Sequence, residues 1–251
     1  MQQIEISKLN HLDYHSNEAY KTLRTNVQFC GEDVKVISLT SCTPNEGKSS
    51  VSFQLALSMA EDGKKVLFID ADIRKSVLVG RHKISAKNAK GLTHYLSGQC
   101  KLEEALCKTN VENLHVILTG PIPPNPSELL GGKYFKELLT TQRNNYDFII
   151  IDTPPLGSVI DSAIVSRQCD GVIMVIASDE ISYKFAAKIK DQLENAGCRI
   201  LGVVLNKVKF LGGSKYGKYY GRYYGKYYGK YYGKYYGQEY APAESNTEEQ
   251  K

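Results

Sequence analysis

Val34-Lys35-Val36-Ile37-Ser38-Leu39, followed at once by Ser41-Cys42-Thr43-Pro44-Asn45-Glu46-Gly47-Lys48-Ser49, decides the fold of this 251-residue chain. A short β-branched run reads as a buried strand. A turn, a Gly-Lys-Ser triplet and a helical pattern from Ser49 to Glu61 come next. Strand, loop and helix N-terminus in that order make a phosphate cradle, because backbone N–H groups and the positive helix end converge on one point. Thr43, Pro44, Asn45, Glu46, Gly47, Lys48, Ser49 and Ser50 are therefore expected around nucleotide phosphates. Lys48 reaches the β- and γ-phosphates, and the Ser49 hydroxyl suits Mg²⁺. Two positions depart from the usual pattern: Cys42 stands where the first glycine falls, and Asn45 where many such loops carry another. A Gly-Lys-Ser triplet alone marks many ordinary turns; the strand before it and the helix after it carry the assignment.

Further apolar runs predict strands at Lys65 to Ile69, Leu114 to Leu118, Phe148 to Ile151, Gly171 to Ala177 and Arg199 to Leu205. Helical patterns at Ser127 to Arg143, Ser162 to Arg167 and Tyr183 to Ala196 alternate with them, and another, roughly Ser16 to Cys30, precedes them behind a Ser or Asn cap. Alternation of this kind implies an α/β fold with a mostly parallel sheet flanked by helices. Two strand ends carry acids: Asp70 and Asp72 after Val66-Leu67-Phe68-Ile69, and Asp152 after Phe148-Ile149-Ile150-Ile151. Ligands of open parallel sheets sit beyond the carboxyl ends of strands, so these acids are expected to face the phosphate loop. Singly, each reads equally well as a turn former. Three around one Gly-Lys-Ser point to phosphoryl transfer, which needs a metal to offset charge and a carboxylate to act on the nucleophile.

Charge is unevenly distributed. Residues 1–205 hold 23 basic and 23 acidic side chains, residues 206–237 eight basic and no acidic ones, and residues 238–251 four Glu and one Lys. No apolar run approaches the ~18 residues of a membrane span, and the N-terminus lacks a signal-peptide core. The six cysteines are scattered without a Cys-x-x-Cys pair, the pattern of reduced thiols in a cytosolic chain and not of a disulfide framework or zinc site.

Beyond Lys207 the pattern changes. Lys218 to Gly237 is five tandem copies of Lys/Arg-Tyr-Tyr-Gly, after Lys215-Tyr216-Gly217. Within the repeat, glycine at every fourth position and the absence of aliphatic residues predict disorder, giving a disordered, basic tail over 208–251 after a folded domain over 1–207. Twelve of the eighteen tyrosines lie here: Tyr216, Tyr219, Tyr220, Tyr223, Tyr224, Tyr227, Tyr228, Tyr231, Tyr232, Tyr235, Tyr236 and Tyr240. A flexible string can offer a hydroxyl to an active site, and its basic residues attract an anionic nucleotide site. Each phosphotyrosine adds about −1.5 to −2 charges, so about four or five would cancel the eight positive ones.

The loop and the two acidic strand ends resemble the Walker A, A′ and B motifs of the bacterial tyrosine kinases (BY-kinases), with the closest fit to the small CpsD-type kinases of capsule and exopolysaccharide assembly. The likeness covers Ser16 to Lys207, and a tyrosine-rich terminus belongs to the same pattern. The resemblance implies a P-loop NTPase fold and an ATP- and Mg²⁺-dependent protein-tyrosine autokinase. It assigns phosphate binding to Lys48, the metal to Ser49, Asp72 and Asp152, and the base toward a tyrosine hydroxyl to Asp70; the twelve tail tyrosines are the expected acceptors. The roles of Asp70 and Asp72 could be exchanged, and Arg74 completes the A′ pattern without a role of its own. Glu18, Lys21 and Arg24 resemble the family's Glu-x-x-Arg-x-x-Arg helix, which joins subunits into a ring, an octamer by resemblance; Lys21 replaces an arginine and loses its bidentate fork. The resemblance further implies a membrane-embedded adaptor of the polysaccharide co-polymerase type, a cognate tyrosine phosphatase, and a cytoplasmic location at the inner face of the membrane.

Asn206 looks like a nucleotide-base contact of related P-loop proteins, though a polar strand end is equally expected there. Pro121-Ile122-Pro123-Pro124-Asn125-Pro126 reads as a stiff loop before a helix. Two readings of other classes stand beside the kinase. Basic residues interleaved with aromatics also describe a single-stranded nucleic-acid binder, although no nucleic-acid partner is expected here because that reading leaves the ATP site without a purpose. A partitioning-type switch ATPase shares the core, but its relatives carry a second lysine early in the loop, where Thr43 stands.

Overall fold

The computed structural model describes residues 1–9, 12–86 and 89–208. The chain divides into two units, Met1–Lys207 and Val208–Lys251; beyond Val208 the tail expected to be disordered, with all twelve of its tyrosines, lies outside the described residues.

Two short strands, β1 (Gln2–Gln3) and β2 (Glu5–Ile6), precede α1 (Tyr14–Gln28). Then come β3 (Val36–Ser41), α2 (Lys48–Glu61), β4 (Val66–Asp70), α3 (Leu78–His82) and β5 (Ile84–Ser85). The middle of the chain forms α4 (Leu92–Leu96), α5 (Leu102–Ala105), β6 (Leu106–Lys108), β7 (Leu114–Ile117), α6 (Pro126–Gly131) and α7 (Lys133–Gln142). The last elements are β8 (Phe148–Asp152), α8 (Asp161–Ser166), β9 (Gly171–Ala177), α9 (Tyr183–Asn195) and β10 (Ile200–Asn206).

Among the described residues eight strands form one sheet in the order β1-β6-β7-β4-β8-β3-β9-β10. Every pair is parallel except β6 with β7. The mostly parallel sheet read from the sequence is therefore the one observed. β3, β4 and β8 are buried at every residue, which is why they read as continuous apolar runs. Their period-2 geometry still divides them between two layers. Phe68 and Ile150 join the core beneath α2, while Ile69, Ile149 and Ile151 join the one beneath α7 and α8 with Phe135, Leu138 and Val165. Each such side chain contributes about 1.5–3 kcal/mol on burial. Phe53 of α2 meets Phe68 edge to face, with ring centroids 5.3 Å apart.

α2 is buried around nearly its whole circumference because α1 covers the side turned away from the sheet. Arg24 fastens that pair: its Nη1 donates to the Ser58 carbonyl at 2.8 Å, and its Nη2 lies 3.2 Å from Asp62 Oδ1.

Some local expectations are corrected. The first helix begins at Tyr14, capped by Asp13, whose Oδ1 accepts from the Ser16 N–H at 2.7 Å. The helix expected over Ser127 to Arg143 is two helices, because Gly132 takes an extended conformation between them. No helix among the described residues is long and apolar enough to cross a membrane.

Candidate active site

The phosphate loop leaves the carboxyl end of β3 and enters α2 at Gly47, which has φ +87°. A Cβ at Gly47 would stand 2.2 Å from Asn206 Nδ2, so both backbone and packing demand glycine. Asn45 also has positive φ, +68°, a conformation asparagine tolerates better than most residues. It can thus replace the glycine usual there. Among the described residues the backbone N–H groups of Asn45, Glu46, Gly47, Lys48 and Ser49 have no protein acceptor. Five orphan donors at a helix N-terminus fit a polyphosphate.

Two buried contacts fix the loop's shape. Glu46, 1% exposed, accepts from the Thr43 N–H with one carboxylate oxygen and from the Ala177 N–H at 3.0 Å with the other. The Glu46 carbonyl in turn accepts from Asn206 Nδ2 at 2.8 Å. Glu46 and Asn206 therefore brace the loop from β9 and β10, and Asn206 meets loop backbone at the place where a base contact was expected. Cys42 is wholly buried, and burial, aided by the Glu46 charge, pushes its thiol up to about 12. It is an inert filler with no thiolate at neutral pH.

Lys48 turns inward. Its Nζ lies 2.6 Å from Asp152 Oδ1 and 3.1 Å from Ser49 Oγ. Ser52, one turn along α2, places its hydroxyl 2.7 Å from Asp152 Oδ1 and 2.7 Å from the Lys48 carbonyl. Asp70 is the register partner of Asp152 across the parallel β4–β8 pair, so two carboxylates stand side by side at adjacent strand ends. Burial and the Asp152 charge push the Asp70 carboxyl up to about 8, against hydrogen bonding from Ser76 and the charge of Lys48. Ser76 donates to Asp70 Oδ2, and the Asp72 N–H approaches Oδ1 at 3.3 Å. Asp72 is also raised, mainly by burial, and its Oδ1 accepts from the Lys75 N–H at 3.1 Å. The sequence-predicted Lys48, Ser49, Asp70, Asp72 and Asp152 thus share one neighbourhood.

Sequence reasoning left Arg74 without a partner. It forms a bidentate pair with the fully buried Asp161, at 2.7 and 3.0 Å, and Ser127 Oγ donates to the same carboxylate at 2.6 Å. Burial alone would raise the Asp161 carboxyl; the Arg74 and Ser127 bonds outweigh it and hold it below the usual range. The segment after β4 is thereby bolted to α8 and α6. Ser52 and Asp161 were also missed. Ser52 had a signal, since i+4 from Lys48 is the same helix face; Asp161 had none locally.

Within the chain, Glu18, Lys21 and Arg24 make different contacts. Glu18 and Lys21 pair along the exposed face of α1 at 2.8 Å, whereas Arg24 is directed at α2 of its own chain.

Among the described residues no cluster of three or more His, Cys, Asp or Glu is arranged to hold a metal by itself. Mg²⁺ at phosphate sites takes one or two carboxylates from the protein, with phosphate and water completing its shell. Hard oxygen donors on Ser49, Asp72 and Asp152 fit that requirement.

A mostly parallel sheet, a Gly-Lys-Ser loop at its carboxyl edge and acids on the neighbouring strands define a P-loop nucleotide-binding protein. Residues 34–199 match the AAA domain family model. The chain is 45% identical over 193 residues to tyrosine-protein kinase CpsD of Streptococcus agalactiae serotype III, covering 77% of this chain and 83% of that protein. It is 40% identical over 206 residues to tyrosine-protein kinase YwqD of Bacillus subtilis, covering 81% and 86%. The solved kinase domain of Escherichia coli tyrosine kinase ETK superposes with a TM-score of 0.75 at 32% identity, covering 83% of this chain and 85% of that one. The chain belongs to the bacterial tyrosine-protein kinase family.

Proposed function

We propose that this protein transfers the γ-phosphoryl group of ATP to tyrosines of its own C-terminal repeat, between neighbouring subunits, and thereby regulates capsular or extracellular polysaccharide synthesis and export. One observation carries the autokinase reading. β10 ends at Asn206, whose amide holds the phosphate loop, and the chain that continues from there contains the twelve tyrosines Tyr216 to Tyr240. The folded domain therefore ends, at Asn206, in contact with the phosphate loop.

In the proposed reaction a tyrosine oxygen attacks the γ-phosphorus, the bond to the β-phosphate oxygen breaks, and ADP leaves. The phenolic proton passes to the Asp70 carboxylate. Lys48 exchanges Asp152 for phosphate oxygens, and the backbone N–H groups of residues 45–49 hold the remaining charge in place. Mg²⁺, held by Ser49, Asp72 and Asp152, supplies charge neutralisation when bound. The Arg74–Asp161 pair keeps the segment carrying Asp70 and Asp72 in position.

The same reading makes the chain a subunit of a ring, assembled through the α1 face that carries Glu18 and Lys21. It works at the inner face of the membrane with a membrane-embedded adaptor of the polysaccharide co-polymerase type, and a tyrosine phosphatase reverses its product. The resemblance of the Glu18, Lys21 and Arg24 spacing and of the Walker motifs to this family supports these assignments.

The test is intact mass after incubation with Mg²⁺-ATP, with and without an adaptor fragment, beside Lys48→Met. A ladder of phosphate additions confined to Tyr216–Tyr240 and absent in the variant is the expected result. ADP accumulation without any ladder would replace the kinase with a switch ATPase.

A further inference from the structure

The geometry points to a phosphotyrosine-docking groove between α7 and α8, at the pole of the sheet opposite the phosphate loop. An open groove of about 490 Å³ lies there. Each side contributes the same spacing: Lys136, Leu139 and Thr140 from α7, and Ile164, its C-cap Arg167 and the following Gln168 from α8. Positions i, i+3 and i+4 share a helix face, so two such faces converge on one space. Gly131 keeps its end open; an added Cβ would come to 3.4 Å of Ile164 Cγ2. Gln168 is fixed as a wall, its Nε2 donating to the Leu130 and Ile164 carbonyls at 2.9 and 3.1 Å.

The chemistry of the lining selects the ligand. The half-buried Ile164 and the edge of the buried Leu139 give the groove an apolar floor on which a ring can rest. Lys136 and Arg167 are exposed cations, and no lining residue is acidic. Among the described residues neither cation has an ion-pair partner. A planar guanidinium and an ammonium lining one groove match a phosphate dianion, with two charges opposing about two. An aromatic ring ending in a phosphate monoester satisfies both halves of the groove.

The source is this chain's own repeat, an origin that rests on the autokinase reading. Each unmodified Lys/Arg-Tyr-Tyr-Gly unit carries a cation and no anion, so Lys136 and Arg167 repel it. Phosphorylation reverses the sign, and the groove then discriminates product from precursor by charge. Its distance from the site keeps the two events apart. Arg167 precedes Asp170, whose N–H bonds the Val36 carbonyl at the start of β3, whereas the phosphate loop leaves β3 at its other end. Six strand residues separate the two poles by about 20 Å.

Two synthetic repeats, with and without one phosphotyrosine, are titrated by fluorescence anisotropy into the full chain carrying Lys48→Met, which leaves the tail unmodified. Inorganic phosphate and a peptide of residues 238–251 serve as competitors. The phosphopeptide is expected to bind at least tenfold more tightly than its unmodified twin. Lys136→Glu with Arg167→Glu is expected to remove that preference without lowering the melting temperature, since both side chains are exposed. Equal affinity for the two peptides, or a preference that survives the double variant, overturns the groove. Inorganic phosphate competing as well as the phosphopeptide reduces it to an anion site, and stronger binding of the 238–251 peptide transfers it to that acidic segment; either result overturns the proposal. Binding needs no catalysis, so a missing phosphate ladder with docking intact would remove only the autokinase reading.

Discussion

Asp70 and Asp152 stand abreast on the last shared rung of β4 and β8, one answered by Ser76 and the other by Lys48 and Ser52. Two buried carboxylates in register oppose each other, and the fold tolerates them because their neighbours divide the work. Asp152 is held by a cation, while Asp70 is left basic by burial and by its neighbour's charge. A carboxylate in that position is costly for folding and useful for accepting a proton. Asp70→Asn should lower tyrosine transfer by about 10²- to 10⁴-fold while leaving the calorimetric melting temperature unchanged or higher. A melting point several degrees lower would show that Asp70 serves the fold.

Lys48→Met should behave differently. It removes the ammonium 2.6 Å from a buried carboxylate. Loss of one partner of a buried pair costs about 3 kcal/mol. The variant should lose transfer and also unfold at lower denaturant, with an unchanged far-UV spectrum. Wild-type transfer by the variant would remove Lys48 from the mechanism.

At the loop, Gly47→Ala and Asn206→Ala should differ in severity. The first places a methyl group 2.2 Å from the Asn206 amide at a backbone angle alanine resists, and nucleotide binding should vanish in calorimetry. The second removes one hydrogen bond to the Glu46 carbonyl, worth about 0.5–1.5 kcal/mol, and should weaken nucleotide binding at most about tenfold. Combining the two should not restore binding, because the Gly47 φ of +87° remains.

Asp170, like Asp161, should contribute to acid sensitivity. Burial would raise the Asp170 carboxyl, but Arg143 and the N–H groups of Val36 and Lys35 outweigh burial and hold it below the ordinary value. A depressed folded pKa gives stability that is present above the unfolded value near 4 and is lost as pH falls through the folded one. Asp170→Asn should therefore cost about 1–3 kcal/mol at neutral pH and shrink the drop in melting temperature between neutral pH and about pH 3. Parallel curves for the two proteins would contradict the assignment.

On α1, Glu18→Ala and Arg24→Ala should separate assembly from folding. Glu18 faces solvent beside Lys21, so its loss should reduce oligomer mass in sedimentation with little change in melting temperature. Arg24 holds α1 onto α2, so its loss should lower the melting temperature as well.

The chemistry at the strand ends was legible because it is local. A buried strand announces itself by Val and Ile, and the acid that follows must emerge at the sheet's edge. Lys48, Asp70 and Asp152 were readable on that basis. What escaped depends on remote partners. Glu46 was read as a phosphate-loop residue, yet its side chain braces Ala177, 131 positions away. Arg74 fitted a motif, but Asp161 could not be paired with it before α8 was docked. β1, β2, β5 and β6 hold two or three residues each, too few for periodicity to register. Gly132 divided a convincing helical pattern by its conformation alone.

The stretch after β8 is stitched to the stretch after β3. Thr153, Leu156 and Gly157 donate backbone hydrogen bonds to the carbonyls of Leu39, Ser41 and Cys42, and any side chain at Gly157 would strike the Cys42 oxygen at 2.2 Å. Two motifs more than a hundred residues apart are therefore one casting. Neither can drift by itself: a change of backbone course at Cys42 has to be met by one at Gly157. A designer wishing to graft a different phosphate loop onto this scaffold would have to transplant both halves together.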